Sequence, residues 1–218
     1  MLRLVQFFVV TLFGIALVYG GYLVLRILQE RQRMPASIHT ILAHADPEID
    51  RLSPHRIAIL LRVEDPTFWT NDGIDLTTPG AGYSTLSQSL GKRIFFTRFN
   101  PGLEKIELLA LTKFALVSVI PKHEILRAVI ATEYFGNDAQ GEINGFAEGA
   151  RRWFGRELNQ LSDAQFIALV AMLPAPNALD PARHSQENAE RVRQIERLLS
   201  GKCVPTGLAD VVLQGCAT

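Results

Sequence analysis

The chain opens with an uninterrupted apolar stretch, whereas the remainder mixes apolar and polar positions at helical spacing. From Leu4 to Leu25 the sequence LVQFFVVTLFGIALVYGGYLVL contains no charged residue. At about 1.5 Å per residue this stretch spans roughly 33 Å, enough to cross the hydrocarbon core of a bilayer. A cleaved signal peptide has a shorter apolar region and a small-residue cleavage site, so the pattern predicts a retained transmembrane anchor over residues 1–28.

The flanks of the anchor give an orientation signal and a connection to the rest of the chain. Arg26, Arg31 and Arg33 follow the apolar stretch, whereas Arg3 alone precedes it. Taken by itself, the positive-inside rule therefore leans towards a cytoplasmic body. Residues 29–50 are predicted to form a polar juxtamembrane linker with at most one short helix.

The body, residues 51–200, is predicted to be a succession of helices. Ser53 before Pro54 is a typical start signal, and Pro66 disfavours helix at the residue before it. Ser162 with Gln165 forms the sequence pattern of a capping box. We find no sustained strand alternation, so the fold class is mainly α, with irregular loops near residues 71–82. The predicted helices after the first cover residues 84–96, 103–120, 121–136, 141–154, 162–173 and 186–199. The apolar content of 103–120 predicts that this helix is central.

Composition narrows the possible functions only slightly. The 22 basic and 22 acidic residues balance, which does not favour nucleic-acid binding. The two cysteines, Cys203 and Cys216, lie in the predicted tail, residues 201–218, and match no zinc spacing. They fit either a disulfide formed in an oxidising compartment or two separate thiols, and the sequence leaves both open.

The segment VEDPTFWTNDGID carries a candidate general base. Glu64 falls in the last turn of its predicted helix, where free carbonyl groups carry partial negative charge. Asp65 adds a like charge, and Phe68 and Trp69 exclude water. Each effect raises the proton affinity of a carboxylate towards that of a useful base. A solvated helix end is the alternative interpretation of the same residues.

The segment GAGYSTLSQSLGKRIFF carries a candidate phosphate site. Gly80 and Gly82 precede a helix whose first turn has N–H groups and hydroxyls, with Lys92 and Arg93 two turns further on. These groups suit a phosphate or pyrophosphate, although the spacing is not that of a Walker loop. A capped helix with one polar face is the alternative.

Together these segments resemble the family 51 glycosyltransferases, the peptidoglycan transglycosylase domains. EDPTFWTNDGID and GYSTLSQSLGKR are similar to the family's E-D-x-x-F-x-x-H-x-G-[IV]-D and G-G-S-T-[IL]-T-Q-Q-L-x-K-N. KHEILRAVIATEYFG resembles a further motif, and the segment from GFAEGARRWFG to LPAPNALDP resembles the last. The resemblance covers residues 56–181 and is that of a divergent, monofunctional member.

The resemblance implies a lysozyme-like α domain that polymerises lipid-linked disaccharide-peptide (lipid II) into glycan strands with inversion. Its implied partners are lipid II, the growing strand, the membrane and other cell-wall synthesis proteins, and nucleic acid is not expected. It also implies a single-pass protein of the bacterial inner membrane with a periplasmic domain, against the arginine bias. Mg²⁺ or Mn²⁺ is expected to assist the pyrophosphate leaving group, with no protein metal ligands assigned.

The resemblance assigns the site residue by residue. Glu64 matches the general base. The positions that match substrate-binding residues are Asp65, Phe68, Asn71, Gly82, Ser84, Thr85, Gln88, Lys92 and Arg93.

The chain departs from the family at its third motif, which contains a second catalytic glutamate. Ungapped counting from Lys122 places Leu109 there, and Glu107 lies two residues earlier. Glu107 is the candidate replacement if the helix is shifted, and a surface acid otherwise. The alternatives to an active polymerase are a degenerate member that binds lipid-linked substrate or a partner without turnover, and a glycan-cleaving enzyme on the same scaffold.

Overall fold

A computed structural model of the chain describes residues 2–217. The first residue of the predicted anchor and the last residue of the predicted tail lie outside the described part. The fold is mainly α, which confirms the prediction. Among the described residues there are eight α-helices and one two-stranded hairpin. The elements are α1 (Leu2–Ala43), α2 (Pro54–Glu64), α3 (Leu86–Phe95), α4 (Leu103–Leu111), α5 (Lys122–Thr132), β1 (Tyr134–Asp138), β2 (Gly141–Asn144), α6 (Phe146–Phe154), α7 (Asp163–Met172) and α8 (Ser185–Leu199).

Helix α1 continues far beyond the predicted anchor. The predicted polar linker with at most one short helix is wrong, because α1 runs through Pro35 to Ala43. Met34 and Ile38 are fully buried where α1 packs on α5, so tertiary packing stabilises helix in a segment that looks polar. The first part of α1 is exposed, and its length and composition suffice to cross a membrane.

The centre of the fold is α7. Every residue from Phe166 to Met172 is buried, and the helix packs against α2 and α8. Its start confirms the predicted capping box, since Ser162 accepts from the Gln165 backbone and the Gln165 side chain accepts from the Ser162 backbone. The helix predicted at 103–120 is not central. The α-helix α4 ends at Leu111, and a π-helical turn follows over Thr112–Val117. Leu103, at the start of α4, is 66% exposed, so this helix lies partly at the surface.

The hairpin replaces the ends of two predicted helices. The antiparallel strands β1 and β2 pair Asp138 with Gly141 and Tyr134 with Asn144. Gly136 and Gly145 adopt φ values of +90° and +88°, which a continuous helix does not allow. Backbone geometry at glycines therefore overrides the helical periodicity around them.

The tail is ordered and covalently closed. Cys203 and Cys216 form a disulfide, which resolves the two alternatives that the sequence leaves open. The segment between them lies against the loop that precedes α3, where Gly80 N donates to Gly207 O at 2.9 Å. The predicted domain boundaries at residues 28, 50 and 200 stay predictions.

Candidate active site

An open cleft of about 390 Å³ lies where the end of α2, the loop before α3 and the tail meet. The structure brings five of the predicted site residues to its walls: Glu64, Gly82, Ser84, Thr85 and Lys92. Glu133 and Val211, which the sequence did not single out, line the same cleft.

Glu64 is the last residue of α2 and is half-buried in the wall of the cleft. The helix ends there because Asp65, which precedes Pro66, leaves helical geometry at φ −156° and ψ 73°. Burial raises the pKa of Glu64 to about 7; the Arg191 charge opposes this, and the Glu133 and Asp65 charges add to it. A carboxylate with this pKa can exchange a proton near neutral pH.

Asp65 lies behind the cleft wall rather than in it. The side chain is buried, and its two oxygens accept from Asn71 Nδ2 at 2.8 Å and from Leu86 N at 3.0 Å. Lys122 Nζ donates to Asn71 Oδ1 at 3.0 Å, so Asn71 links the acid to a cation. Burial raises the pKa of Asp65 to about 6, although these groups oppose the rise. Asp65 thus fastens the end of α2 to the start of α3 and holds Glu64 in place.

Phe68 and Gln88 lie in the interior, and Thr85, although it lines the cleft, is 3% exposed and hydrogen-bonded inside the protein. Phe68 is fully buried, so it packs in the core beneath the site. Thr85 Oγ1 and Gln88 Nε2 both donate to Gly73 O, at 2.8 and 2.9 Å. Thr85 Oγ1 also accepts from the Gln88 backbone, so the first-turn donors expected to hold phosphate are largely used inside the protein. These residues shape the loop of the cleft, and their direct contact with substrate stays a prediction.

Two lysines lie at the cleft, Lys92 in its wall and Lys105 in contact with its loop. Lys92 lines the cleft, and burial lowers its pKa. Lys105, on α4, donates to Tyr83 O at 2.7 Å, to Ser84 Oγ at 3.1 Å and to Gln88 Oε1 at 2.8 Å. Burial, and then the nearby Lys92 charge, lowers the pKa of Lys105 to about 8. In the sequence Lys105 lies two residues before Glu107, and only the helix phase reveals that it faces the cleft loop.

The second carboxylate of the cleft is Glu133, and it is already paired. Arg93 binds both of its oxygens, at 2.8 and 2.9 Å, and Ser89 Oγ donates to it at 3.1 Å. Arg93, predicted to contact substrate, is therefore occupied by Glu133. Glu133 precedes Tyr134 in the segment KHEILRAVIATEYFG, and no sequence signal marked it.

The residues that line the cleft do not include Glu107, so its role as a replacement for the third-motif glutamate stays a prediction. Glu107 faces α1, where Arg26 binds its carboxylate and Tyr19 Oη donates to it at 3.2 Å. Arg26 also donates to Phe95 O at 2.9 Å. Helix α4 turns Glu107 towards the anchor, away from the residues that line the cleft. Glu107 thus lies at the junction between the predicted anchor, in the first part of α1, and the body.

The donor set of the cleft does not fit a resident divalent metal. Within the described residues no group of three or more His, Cys, Asp or Glu side chains converges on one point. Of the two carboxylates in the cleft, Glu133 is held by Arg93. The remaining charged group on its walls is Lys92, which repels a cation.

Comparison with known proteins finds transglycosylases. The family model described as Transglycosylase matches residues 36–199. The chain is 30% identical over 178 residues to the biosynthetic peptidoglycan transglycosylase of Rhodospirillum centenum, covering 73% of this chain and 75% of the relative. It is 25% identical over 214 residues to a putative transglycosylase of Cupriavidus necator, covering 90% of both.

Larger proteins share the same segment. The chain is 30% identical over 138 residues to the penicillin-binding protein 1B of Buchnera aphidicola, covering 57% of this chain. It spans only 18% of that relative and 20% of the penicillin-binding protein 1B of Haemophilus influenzae. The similarity to these longer proteins therefore concerns one of their segments.

Proposed function

The chain belongs to the transglycosylase family, as a divergent member, and on that premise we propose that it is a membrane-anchored peptidoglycan glycosyltransferase. Its substrate is lipid-linked disaccharide-peptide (lipid II), which it joins into glycan strands with inversion at the anomeric carbon. The observation that carries the proposal is the cleft in which a half-buried carboxylate, Glu64, shares the walls with Lys92 and Ser84.

Glu64 is the general base of the proposed reaction. It accepts the proton of the acceptor sugar's 4-hydroxyl as that oxygen attacks the anomeric carbon of the donor. The bond from this carbon to the lipid pyrophosphate breaks, and the pyrophosphate leaves with the bonding electron pair. Because its pKa is about 7, Glu64 is ionised above neutral pH and is still basic enough to take a proton.

The positive charges of Lys92 and Lys105 stabilise the negative charge that develops on the departing pyrophosphate. Both approach the loop that carries Ser84, and fixed cations at a site of developing negative charge stabilise a transition state. Because the donor set does not fit a divalent ion, the proposed reaction includes no metal-dependent step. The Mg²⁺ or Mn²⁺ expected from the resemblance enters only with the substrate.

Glu133 takes the place of the second cleft acid in this proposal. Its pairing with Arg93 fixes a carboxylate beside Glu64, where its charge helps to keep the proton affinity of Glu64 high. The pair also keeps Arg93 from binding Glu64 directly.

The anchor and the disulfide support the proposed location in the inner membrane with the domain in the periplasm. Helix α1 is long and apolar enough to span a bilayer. Disulfides persist in oxidising compartments such as the bacterial periplasm, so the Cys203–Cys216 bond favours this orientation over the one indicated by the arginines.

The direct test is polymerisation of lipid-linked disaccharide-peptide by the purified full-length chain in detergent, with glycan strands resolved on a gel. Glu64→Gln is expected to lower the rate by about 10²- to 10⁴-fold, since a general base contributes that much. Glu124→Gln, which alters a carboxylate of α5 outside the cleft walls, is the matched control and retains activity. Equal rates for Glu64→Gln and the wild type contradict the assignment.

One observation favours a second candidate, a family member that binds the lipid-linked substrate without turnover. The acid assigned from the third motif, Glu107, is bound to the anchor and is absent from the cleft walls. This candidate predicts measurable substrate binding and no glycan product from the wild-type chain. Product above background excludes it.

A further inference from the structure

The tail loop, defined as residues 203–216, is closed by the Cys203–Cys216 disulfide and forms part of the cleft. Val211 stands in the cleft wall with Glu64 and Ser84. The family match ends at residue 199, so this wall comes from a segment beyond the matched domain.

The tail loop holds the glycine loop, residues 80–82, by its backbone. Gly80 N donates to Gly207 O and Gly82 N donates to Leu208 O, each at 2.9 Å. Both glycines have positive φ, +81° and +69°, a conformation that other residues rarely adopt. A Cβ added at Gly82 would lie 2.5 Å from Val211 Cγ1, so the two loops are in direct contact with no space between them.

The tail loop has its own internal support. Asp210 is buried, and its carboxylate accepts from Thr206 N at 2.9 Å and from Gly215 N at 3.0 Å. It also accepts from Gln214 N at 2.5 Å. These bonds fold the loop around one carboxylate, and the disulfide joins its two ends.

The tail loop also binds a buried cation at Val211, the tail-loop residue that lines the cleft. Arg191, on α8, is 4% exposed, and its Nη2 donates to Val211 O at 2.6 Å. Within the described residues its Nε and Nη1 have no hydrogen-bond partner, and the guanidinium forms no ion pair within 4.0 Å. Its positive charge acts on Glu64 and lowers the pKa of that carboxyl. A buried, incompletely paired guanidinium is costly unless nearby anions balance its charge, and the carboxylates whose charges act on Arg191 are Glu64 and Asp210.

We propose that the disulfide-closed tail loop is a positioning element of the active site, which holds the glycine loop and the Arg191 guanidinium in place around Glu64. The inference rests on the proposed function, because it assigns the loop a role in turnover by that site. Opening the disulfide releases the ends of the loop, and both contacts loosen together because one short segment makes them.

The first measurement follows the contact itself and needs no turnover. Hydrogen exchange is compared between the full-length wild type and the Cys203→Ser/Cys216→Ser variant in the same detergent. The amides of Gly80 and Gly82 are expected to exchange about tenfold faster or more in the variant, since their acceptors lie in the tail loop. Protection of α7 is expected to stay unchanged, which shows that the core remains folded. Unchanged exchange at both glycines overturns the proposal.

The second measurement separates positioning from general stability. In the same variant kcat for polymerisation is expected to fall by about tenfold or more, with a smaller change in KM, because catalytic groups are displaced by small distances. Val204→Thr is the matched control, since Val204 belongs to the same loop, is 70% exposed and lies outside the cleft walls. Unchanged kcat together with faster exchange overturns the proposal.

Chemical reduction provides a variant-free check. A water-soluble phosphine reduces the wild-type disulfide to two thiols, and the phosphine becomes its oxide with oxygen taken from water. The proposal predicts that kcat falls on reduction and recovers when the bond is re-formed by air. Loss without recovery, while α7 stays protected, counts against it.

Arg191 gives a readout that a purely structural role does not move. The charged groups around Glu64 are Asp65, Glu133, Lys92 and Arg191. The variants below change Arg191 and keep the other three. In Arg191→Met the acid limb of the rate profile is expected to move to higher pH, because a charge that favours ionised Glu64 is lost. Arg191→Lys keeps the charge and is expected to retain a limb close to that of the wild type. Identical limbs in the two variants overturn the role of Arg191.

Failure of the proposed polymerase function gives a result that differs from failure of the positioning role. A wild-type chain that forms no glycan refutes the polymerase. In that case weaker binding of lipid-linked disaccharide-peptide by the Cys203→Ser/Cys216→Ser variant, with faster exchange at the glycines, still supports the positioning role. Unchanged binding refutes it.

Discussion

The cleft and the junction between anchor and body each contain a glutamate paired with an arginine, yet only the cleft contains the candidate base. In the cleft, Glu133 is bound by Arg93 at 2.8 Å beside Glu64. At the junction, Glu107 is bound by Arg26 of α1. In the sequence Glu107 was the candidate replacement for the second acid if the helix is shifted, whereas the carboxylate that lines the cleft with Glu64 is Glu133.

Helix α4 links the two regions and explains the difference. Lys105 contacts the loop of the cleft, whereas Glu107, two residues later, contacts the anchor. Two residues rotate a side chain by about 200° around a helix. Position around a helix therefore decides which region a side chain serves, even when two residues are near neighbours in sequence.

Removing one cation from each region is expected to give the largest difference in kcat between the two regions. Lys92→Met is expected to lower kcat by about 10²-fold, because a group that stabilises the departing pyrophosphate is lost. Arg26→Met is expected to keep kcat within about threefold of the wild type. The measurement is the rate of glycan formation at saturating lipid-linked substrate. Similar losses in both variants would mean that the anchor junction takes part in catalysis.

Neutralising the paired glutamate is expected to shift the acid limb of the pH–rate profile in the cleft but not at the junction. Glu64 must be ionised to accept a proton, so the rate falls as pH drops through its pKa of about 7. Glu133→Gln removes a negative charge that raises this pKa, so the acid limb moves to lower pH. The ratio of the rate at about pH 6 to that at about pH 8 is expected to rise about threefold or more. Glu107→Gln, the control, leaves the limb in place, and a shift there contradicts the comparison.

Lys105 is expected to set the alkaline limb. It is cationic below its pKa of about 8, so the charge that opposes the pyrophosphate is lost as pH rises through that value. Lys105→Arg keeps the charge at higher pH and is expected to increase the rate at about pH 9 by about twofold to fivefold relative to the wild type. Lys113→Arg is the control, because Lys113 binds Asp72 at 2.5 Å outside the cleft. An unchanged alkaline limb in Lys105→Arg removes Lys105 from the proposed site.

The junction pair is expected to affect stability with the smallest effect on activity. Arg26→Met leaves the mostly buried Glu107 carboxylate unpaired, and the unfolding midpoint is expected to fall by about 2–6 °C. The double variant Arg26→Met/Glu107→Met is expected to recover most of that loss, since replacing both partners removes the unpaired charge. Thermal unfolding in one detergent checks both variants. A double variant no more stable than Arg26→Met contradicts the expectation that an unpaired Glu107 carboxylate causes the loss.

Local sequence signals predicted the starts and ends of several elements. Helix α2 runs from Pro54 to Glu64 as predicted, because a capping serine, a proline at the first position and a proline after the end act within a few residues. The capping box of α7 is likewise local. The position of Glu64 at the end of α2 follows from these signals alone.

Signals that depend on distant packing were missed. The helix through 29–43 forms because Met34 and Ile38 find a partner surface, and the hairpin forms where glycines with positive φ interrupt helical periodicity. Thr85 and Gln88 look like ligand-binding residues in sequence, yet both donate to Gly73 O. A polar side chain has the same chemistry whether it faces a ligand or a buried carbonyl, so only its surroundings distinguish the two roles.

The sequence by itself determined the family, the mainly α class, an apolar segment long enough to span a bilayer and the candidate base, because motifs, composition and helix signals are properties of neighbouring residues. The tertiary structure decided that Glu133 lines the cleft and Lys105 contacts its loop, that Glu107 pairs with Arg26 of α1, and that Val211 of the disulfide-closed tail loop lies in the wall with Glu64. These facts depend on helix phase and on contacts between residues far apart in the chain. No local pattern encodes them, since burial and pairing exist only once the elements pack.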